Sequence, residues 1–157
     1  MKFKVTLQDK KRKKMILFQT ETKFTLKDKL AYKRWIKRTI ENEGKKCGDI
    51  NYVFYNDEDL LAINVKYLSH DFYTDIITFD YTENNIISGD IAISIDRVVE
   101  NAKTYNVDFE AELKRVLIHG ILHLCGYKDK NKEEEKVMRE KETFYMSMFH
   151  KYSKKTK

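Results

Sequence analysis

Residues 108–126, DFEAELKRVLIHGILHLCG, decide the fold. Asp108 is a residue type that accepts from the free amides at a helix start, and Gly126 is the usual residue just past a helix end. Between them Leu113, Val116, Leu117, Ile118, Ile121, Leu122 and Leu124 cover more than one stripe of the helix surface. A helix so apolar belongs in the middle of a core. The stretch predicts one central helix from Asp108 to about Cys125, and it carries two histidines, His119 and His123.

Working outward, Ile76–Tyr81 (IITFDY) and Asp90–Ile95 (DIAISI) read as strands, with Thr82–Asn85 supplying turn chemistry between them. An antiparallel hairpin follows. Ile50–Tyr55 (INYVFY) and Met15–Gln19 (MILFQ) read as two more strands. Residues 1–14 alternate weakly and then turn basic, predicting a short strand and a charged turn. Thr25 and Asp28 form a capping-box pattern before a helix running to about Asn42. Asp57 is placed as the cap of a short helix carrying Leu60, Leu61, Ile63 and Val65. A further helix spans Asp96 to about Tyr105. Downstream, Asn131 with Glu134 starts a last helix that ends near Phe149 or His150. The predicted class is α+β, with an α/β-like arrangement: a small mixed sheet of about four strands, helices packed on it, and a metal site on the central helix. Residues 1–157 are expected to form a single domain.

Composition narrows the function. Of 157 residues, 41% are hydrophobic, enough for a core, and 36% are charged. No apolar run is long enough for a membrane span or a secretory signal, so a cytoplasmic protein without a membrane partner is expected. Cys47 and Cys125 form no bridge framework and read as reduced thiols. The formal net charge of +6 comes from 31 Lys+Arg against 25 Asp+Glu. Basic residues crowd into Lys10–Lys14, into Lys27, Lys29, Lys33, Arg34, Lys37 and Arg38, and into Lys154, Lys155 and Lys157. Such runs are either solvated surface or a face for an anionic partner such as RNA.

His119-Gly120-Ile121-Leu122-His123 sets two imidazoles four residues apart. On a helix such positions differ by only ~40° around the axis and lie one turn apart, so both rings can reach one ion. Zinc takes two or three neutral nitrogen ligands and keeps a position open for water when it is catalytic. Gly126 turns the chain so that the next segment can fold a third ligand back. Gly120 stands where an H-E-x-x-H metalloprotease carries its base, which argues against a protease. It permits close packing, or keeps space near the ion.

The run His119-Gly-Ile-Leu-His123-Leu-Cys-Gly126-Tyr127 resembles the H-G-x-L-H-L-x-G-Y signature of the YbeY family of bacterial rRNA maturation factors. A second stretch agrees: Asn64-x-x-Tyr67-x-x-x-Asp71-x-x-Thr74-Asp75-Ile-Ile-Thr78-Phe79, followed by Gly89-Asp90-Ile91. Order and spacing both match, over roughly residues 50–130. In the family the signature continues to a third histidine ligand; the position ten after His119 is Asp129 here. The resemblance therefore implies a His119, His123, Asp129 site for one zinc ion or another divalent transition metal, manganese included; His70 is the alternative third ligand. Leu68 stands where the family has an arginine, and Lys66 or another basic residue would take over that role. Asp71, Asp75 and Asp90 are the carboxylates of the second motif; they either cap turns and strand ends or support the metal ligands, Asp75 and Asp90 being the candidates for catalytic support.

The resemblance implies a single-strand-specific, metal-dependent endoribonuclease acting in 16S rRNA 3′-end maturation and ribosome quality control, with single-stranded RNA, the small subunit and its assembly factors as partners. A bound metal polarises a phosphoryl oxygen or acidifies water, lysines hold the backbone, and Tyr67, Phe79 and Tyr127 are candidates for base stacking, with core packing the simpler role for Phe79. A non-catalytic assembly factor with a structural metal, and a metal hydrolase of another substrate, are the alternatives.

Overall fold

The computed structural model describes residues 14–153. The short strand expected within residues 1–14 and the basic residues Lys10–Lys13, Lys154, Lys155 and Lys157 lie outside that range, so nothing structural bears on them.

The order of elements is β1 (Ile16–Thr20), α1 (Lys29–Asn42), β2 (Lys46–Tyr55), α2 (Asp57–Leu68), β3 (Ile76–Asp80), β4 (Ile86–Ser94), α3 (Ile95–Tyr105), α4 (Phe109–Leu124) and α5 (Lys132–Met146), closed by a 3-10 turn at Phe149–Lys151. Four strands form one mixed sheet in the order β1-β2-β4-β3. β1 and β4 both run parallel to β2, while β3 and β4 make the antiparallel pair that the sequence predicts. The sheet is thus of the α+β, α/β-like kind expected, with helices packed on it.

Strand alternation sorts the side chains onto two faces. Ile16, Ile50, Tyr52, Phe54, Ile91 and Ile93 point to the main core, where α1, α4 and α5 pack. Val53, Tyr55, Ile77, Phe79 and Ala92 point the other way and meet Leu60 of α2. β2 and β4 are buried over most of their length. That explains their near-continuous apolar stretches, since a parallel strand covered on both sides has no polar face to show. α4 lies across the main face with Leu117, Ile118, Ile121 and Leu122 fully buried. Each such side chain contributes roughly 1.5–3 kcal/mol. Two polar anchors fix the layer: the Tyr52 hydroxyl donates to the Leu117 carbonyl at 2.9 Å, and the Trp35 indole N–H to the Tyr145 carbonyl at 2.7 Å.

Two glycines make close approaches possible. A Cβ on Gly120 would meet Ile76 at 3.0 Å and Ile91 at 3.2 Å, so α4 rides directly on the sheet at the point where its histidines begin. A Cβ on Gly48 would sit 2.7 Å from Ile86 and 2.8 Å from the Ile87 carbonyl, beside the register shift between Cys47 and Ile50.

Helix starts follow the predictions in part. Asp108 caps α4 by accepting from the Ala111 amide, and Asn131 caps α5 by accepting from the Glu134 amide. The Thr25–Asp28 capping box does not form: Asp28 sits in the left-handed region at φ 60° and makes no side-chain cap. α2 is capped by Asn56, whose side chain accepts from the Asp59 amide, one residue before the Asp57 proposed. Asp57 instead accepts from Ser94 Oγ and Arg97 at 2.6 Å each and ties α2 to α3. Among the described residues no helix is long and apolar enough to cross a membrane.

Candidate metal centre

His119 and His123 sit on the last turns of α4, and the turn after it brings Asp129 back over them. Gly126, at φ 109°, makes that reversal in a region that disfavours a side chain. His119 Nε2 and His123 Nε2 lie 3.2 Å and 3.4 Å from the same atom, Asp129 Oδ2. The ligand-capable atoms of the three residues all fall within 4.8 Å of one another. All three residues are half-buried, with the side chains of His123 and Asp129 27% and 39% exposed, so the cluster opens to one side.

The outer nitrogens decide what the inner ones can do. His123 Nδ1 is 2.9 Å from the Tyr127 carbonyl, which can only accept. His123 Nδ1 therefore carries the proton, and in the neutral ring Nε2 presents a lone pair. His119 Nδ1 lies 2.6 Å from Glu142 Oε2, which fixes the same tautomer. Two lone pairs and a carboxylate oxygen converge on one point, the donor set that zinc or another borderline divalent cation takes.

Behind His119 is a buried ionic cluster. Glu142, on α5, is 2% exposed. Arg115, one turn before His119, binds Glu112 in two places at 3.0 and 2.6 Å, and stands 3.5 Å from Glu142 and 3.7 Å from Asp75. Burial works against the charge on Arg115, but Glu112, then Glu142 and Asp75, hold it firmly protonated. Asp75 also accepts from Asn101 at 3.2 Å. Its carboxyl is pushed above the ordinary range, because burial outweighs the attraction of Arg115 and His119.

Behind His123 the support is of another kind. The Tyr127 hydroxyl donates to Glu43 Oε1 at 2.7 Å, Tyr145 donates to the other Glu43 oxygen, and Lys141 approaches the latter at 3.3 Å. Although burial alone would raise it, these hydrogen bonds from Tyr127, Tyr145 and Lys141 lower the Glu43 carboxyl below its usual range.

A cavity of about 320 Å³ adjoins His119 and Asp129. Asp75, Glu135, Glu142 and Asp129 line it together with Arg115 and Arg139.

The structure brings His119, His123, Asp129 and Asp75 to this place. Asp90 is elsewhere: it shares the opposite sheet face with Ala92 and approaches the Tyr81 hydroxyl at 3.3 Å. Asp71 and His70 are exposed after α2, with the His70 ring stacked on Phe72 at 5.1 Å, so His70 does not complete the site. Leu68 ends α2 and Lys66 lies over the Tyr67 ring; neither lines the cavity. Tyr67 packs edge-on against the buried Phe79, and Lys141 sits 5.5 Å from the Tyr127 ring centre, so base stacking finds little support in these rings. Sequence reading missed Glu142, Arg115 and Glu43. Glu142 had a signal: with Met138 and Tyr145 it falls on the buried stripe of α5, where a carboxylate needs a partner.

A family profile described as Endoribonuclease YbeY matches residues 15–150. An endoribonuclease YbeY of Flavobacterium johnsoniae is 55% identical over 136 residues, covering 87% of this chain and 98% of the relative. That of Christiangramia forsetii is 52% identical over 135 residues, covering 86% and 94%. That of Parabacteroides distasonis is 56% identical over 114 residues, covering 73% and 80%. Among solved structures, TM1509 of Thermotoga maritima, determined in solution, superposes with a TM-score of 0.62 at 31% identity, covering 86% of this chain and 89% of the other.

Proposed function

The chain belongs to the Endoribonuclease YbeY family, and from that premise we propose that it cleaves single-stranded RNA at a metal centre held by His119, His123 and Asp129, acting in 16S rRNA 3′-end maturation and ribosome quality control in the cytoplasm. The observation that carries the site is the pair of tautomers: both Nδ1 atoms are engaged from behind, and both Nε2 atoms face Asp129. Zinc suits two nitrogens and one oxygen; the carboxylate also leaves room for a harder ion such as manganese.

When bound there, the cation polarises a phosphoryl oxygen and acidifies water at the scissile phosphodiester. The protein's own residues do the rest. Glu142 and the Tyr127 carbonyl hold the imidazoles in orientation. Arg115 stands 3.5 Å from Glu142 and holds it in place behind His119. Asp75, in the cavity wall with a raised carboxyl, is positioned to exchange a proton with substrate in the cavity, which makes it the better of the two proposed supporting carboxylates. The half-exposed flank of the triad argues for a reacting centre over a purely structural one, since structural sites close around the ion.

The experiment is cleavage of a small-subunit precursor RNA by protein loaded with zinc or manganese, alongside metal content per chain for wild type, His123→Ala and Asp129→Ala. About one ion in wild type, lost in both variants together with cleavage, is the expected result. A fully loaded wild type that cleaves no RNA would leave the non-catalytic assembly role.

A further inference from the structure

The cavity at the metal centre is a poor holder of a polyanion. Four of its lining side chains are carboxylates, and Arg115, one of its two arginines, is occupied by Glu112. A strand of RNA must find its cations elsewhere. α1 offers them. Its buried side carries Tyr32, Trp35, Ile36, Thr39 and Ile40. On the opposite side Lys33 and Lys37, and Arg34 and Arg38, form two i,i+4 rows, with Arg34, Lys37 and Arg38 exposed and only Glu41 of opposite sign beside them.

Between this face and the strands lies a groove of about 350 Å³ lined by Lys14, Met15, Ile16, Lys33, Arg34, Lys37 and Cys47. Asp49, near its floor, is engaged by the Met15 amide at 2.9 Å. The Cys47 thiol, pushed up to about 11 by burial against the pull of Lys37, adds no negative charge.

A chain of contacts links the groove to the turn after α4. Leu124, at the end of α4, packs over Gly89 near the start of β4. There β4 pairs in parallel with the start of β2, Lys46 opposite Ile86 and Cys47 opposite Ile87, and the Met15 carbonyl meets the Ile50 amide at 2.9 Å. Glu43, just past α1, binds Tyr127 of the ligand turn. Lys37 precedes Glu43 by six residues, about 9 Å of helix rise.

We propose that the groove between α1 and β1, with Lys14, Lys33, Arg34 and Lys37, is a second contact surface for RNA, holding the phosphate backbone of the single strand whose scissile bond lies at the metal centre. The inference rests on the endoribonuclease reading and adds where the strand is gripped.

Binding of a fluorescein-labelled single-stranded RNA of about 20 nucleotides to metal-stripped full-length protein, followed by anisotropy across a salt series, tests it. The variants are Lys33→Ala/Arg34→Ala/Lys37→Ala and, as a control with three exposed cations elsewhere, Lys23→Ala/Lys103→Ala/Lys151→Ala. Removing three phosphate contacts should weaken binding ~10-fold and flatten the slope of log K against log salt by about 2, with the control unchanged. In the loaded enzyme the groove variant should raise KM and keep kcat. Wild-type affinity and slope in the groove variant, or an equal loss in the control, overturns the proposal. Because binding is read without metal, it stands apart from the endoribonuclease reading, which fails instead if loaded wild type does not cleave.

Discussion

The two histidines of the candidate metal centre are held from behind in opposite ways. His119 leans on a side chain from another helix, Glu142, which is itself buried among charges: Arg115, and through it Glu112 and Asp75. His123 leans on a backbone carbonyl, that of Tyr127, four residues away on its own turn. The first support is electrostatic and fragile, because each buried charge depends on its neighbour. The second is geometric, and depends only on the turn keeping its shape, which Glu43 secures from outside. A ligand oriented by a charge network can be tuned by changing charges; one oriented by backbone can be disturbed only by moving the chain.

The largest expected effect is on the charged side. Arg115→Met leaves the buried Glu112 without its cation and Glu142 with only the exposed Arg139 at 3.5 Å, and should cost about 3–5 kcal/mol in urea unfolding. Little loss of stability would mean that the carboxylates find other partners and the network is not cooperative. Glu142→Gln keeps the volume and an acceptor oxygen but removes the charge; metal affinity, measured by competition with a chelating dye, should fall ~10–100-fold with the fold intact. On the geometric side, Glu43→Ala should weaken metal binding by less than ~10-fold, as it acts through Tyr127 and one step further from the ion. If it matches Glu142→Gln, the supposed contrast between the two supports is lost. Gly120→Ala, which presses on Ile76 and Ile91, should cost about 1–3 kcal/mol through overpacking without touching either support.

The smallest effect is in pH. Glu43 has a lowered carboxyl in the folded protein, so it binds a proton less readily folded than unfolded. Its contribution is present above the ordinary value of 4.5 and is lost as pH falls from there through the folded value. Thermal melts between pH 6 and about 3 should show wild type losing this increment and Glu43→Gln lacking it; parallel curves would place the stabilisation elsewhere.

The central helix, the hairpin and the histidine pair were legible because their signals are local: a cap, a glycine stop, alternation, and two rings one turn apart. Asp129 was reached by counting along a motif, and the reversal at Gly126 delivers it. What failed has a common cause. At α2 both Asn56 and Asp57 can cap and packing selects Asn56, while at α1 Asp28 turns into the left-handed region and makes no side-chain cap. Asp90 was left open between a strand-end role and support for the metal ligands, because strand sequence alone does not say which sheet face a residue joins; its register with Asn51 puts it on the face away from α4. The leucine at Leu68 looked like a gap in the site, yet α2 packs on the other side of the sheet from α4. Glu142 and Glu43 lie 23 residues from His119 and 84 from Tyr127, distances over which no spacing rule operates.

That separation bears on timing. The three candidate ligands lie within an eleven-residue stretch from His119 to Asp129, and Glu43 is made long before them. Glu142, on α5, follows Asp129 by thirteen residues. A growing chain thus holds the donors for an ion before it holds the group that fixes the first of them. Until α5 has docked, His119 lacks the acceptor that sets its tautomer.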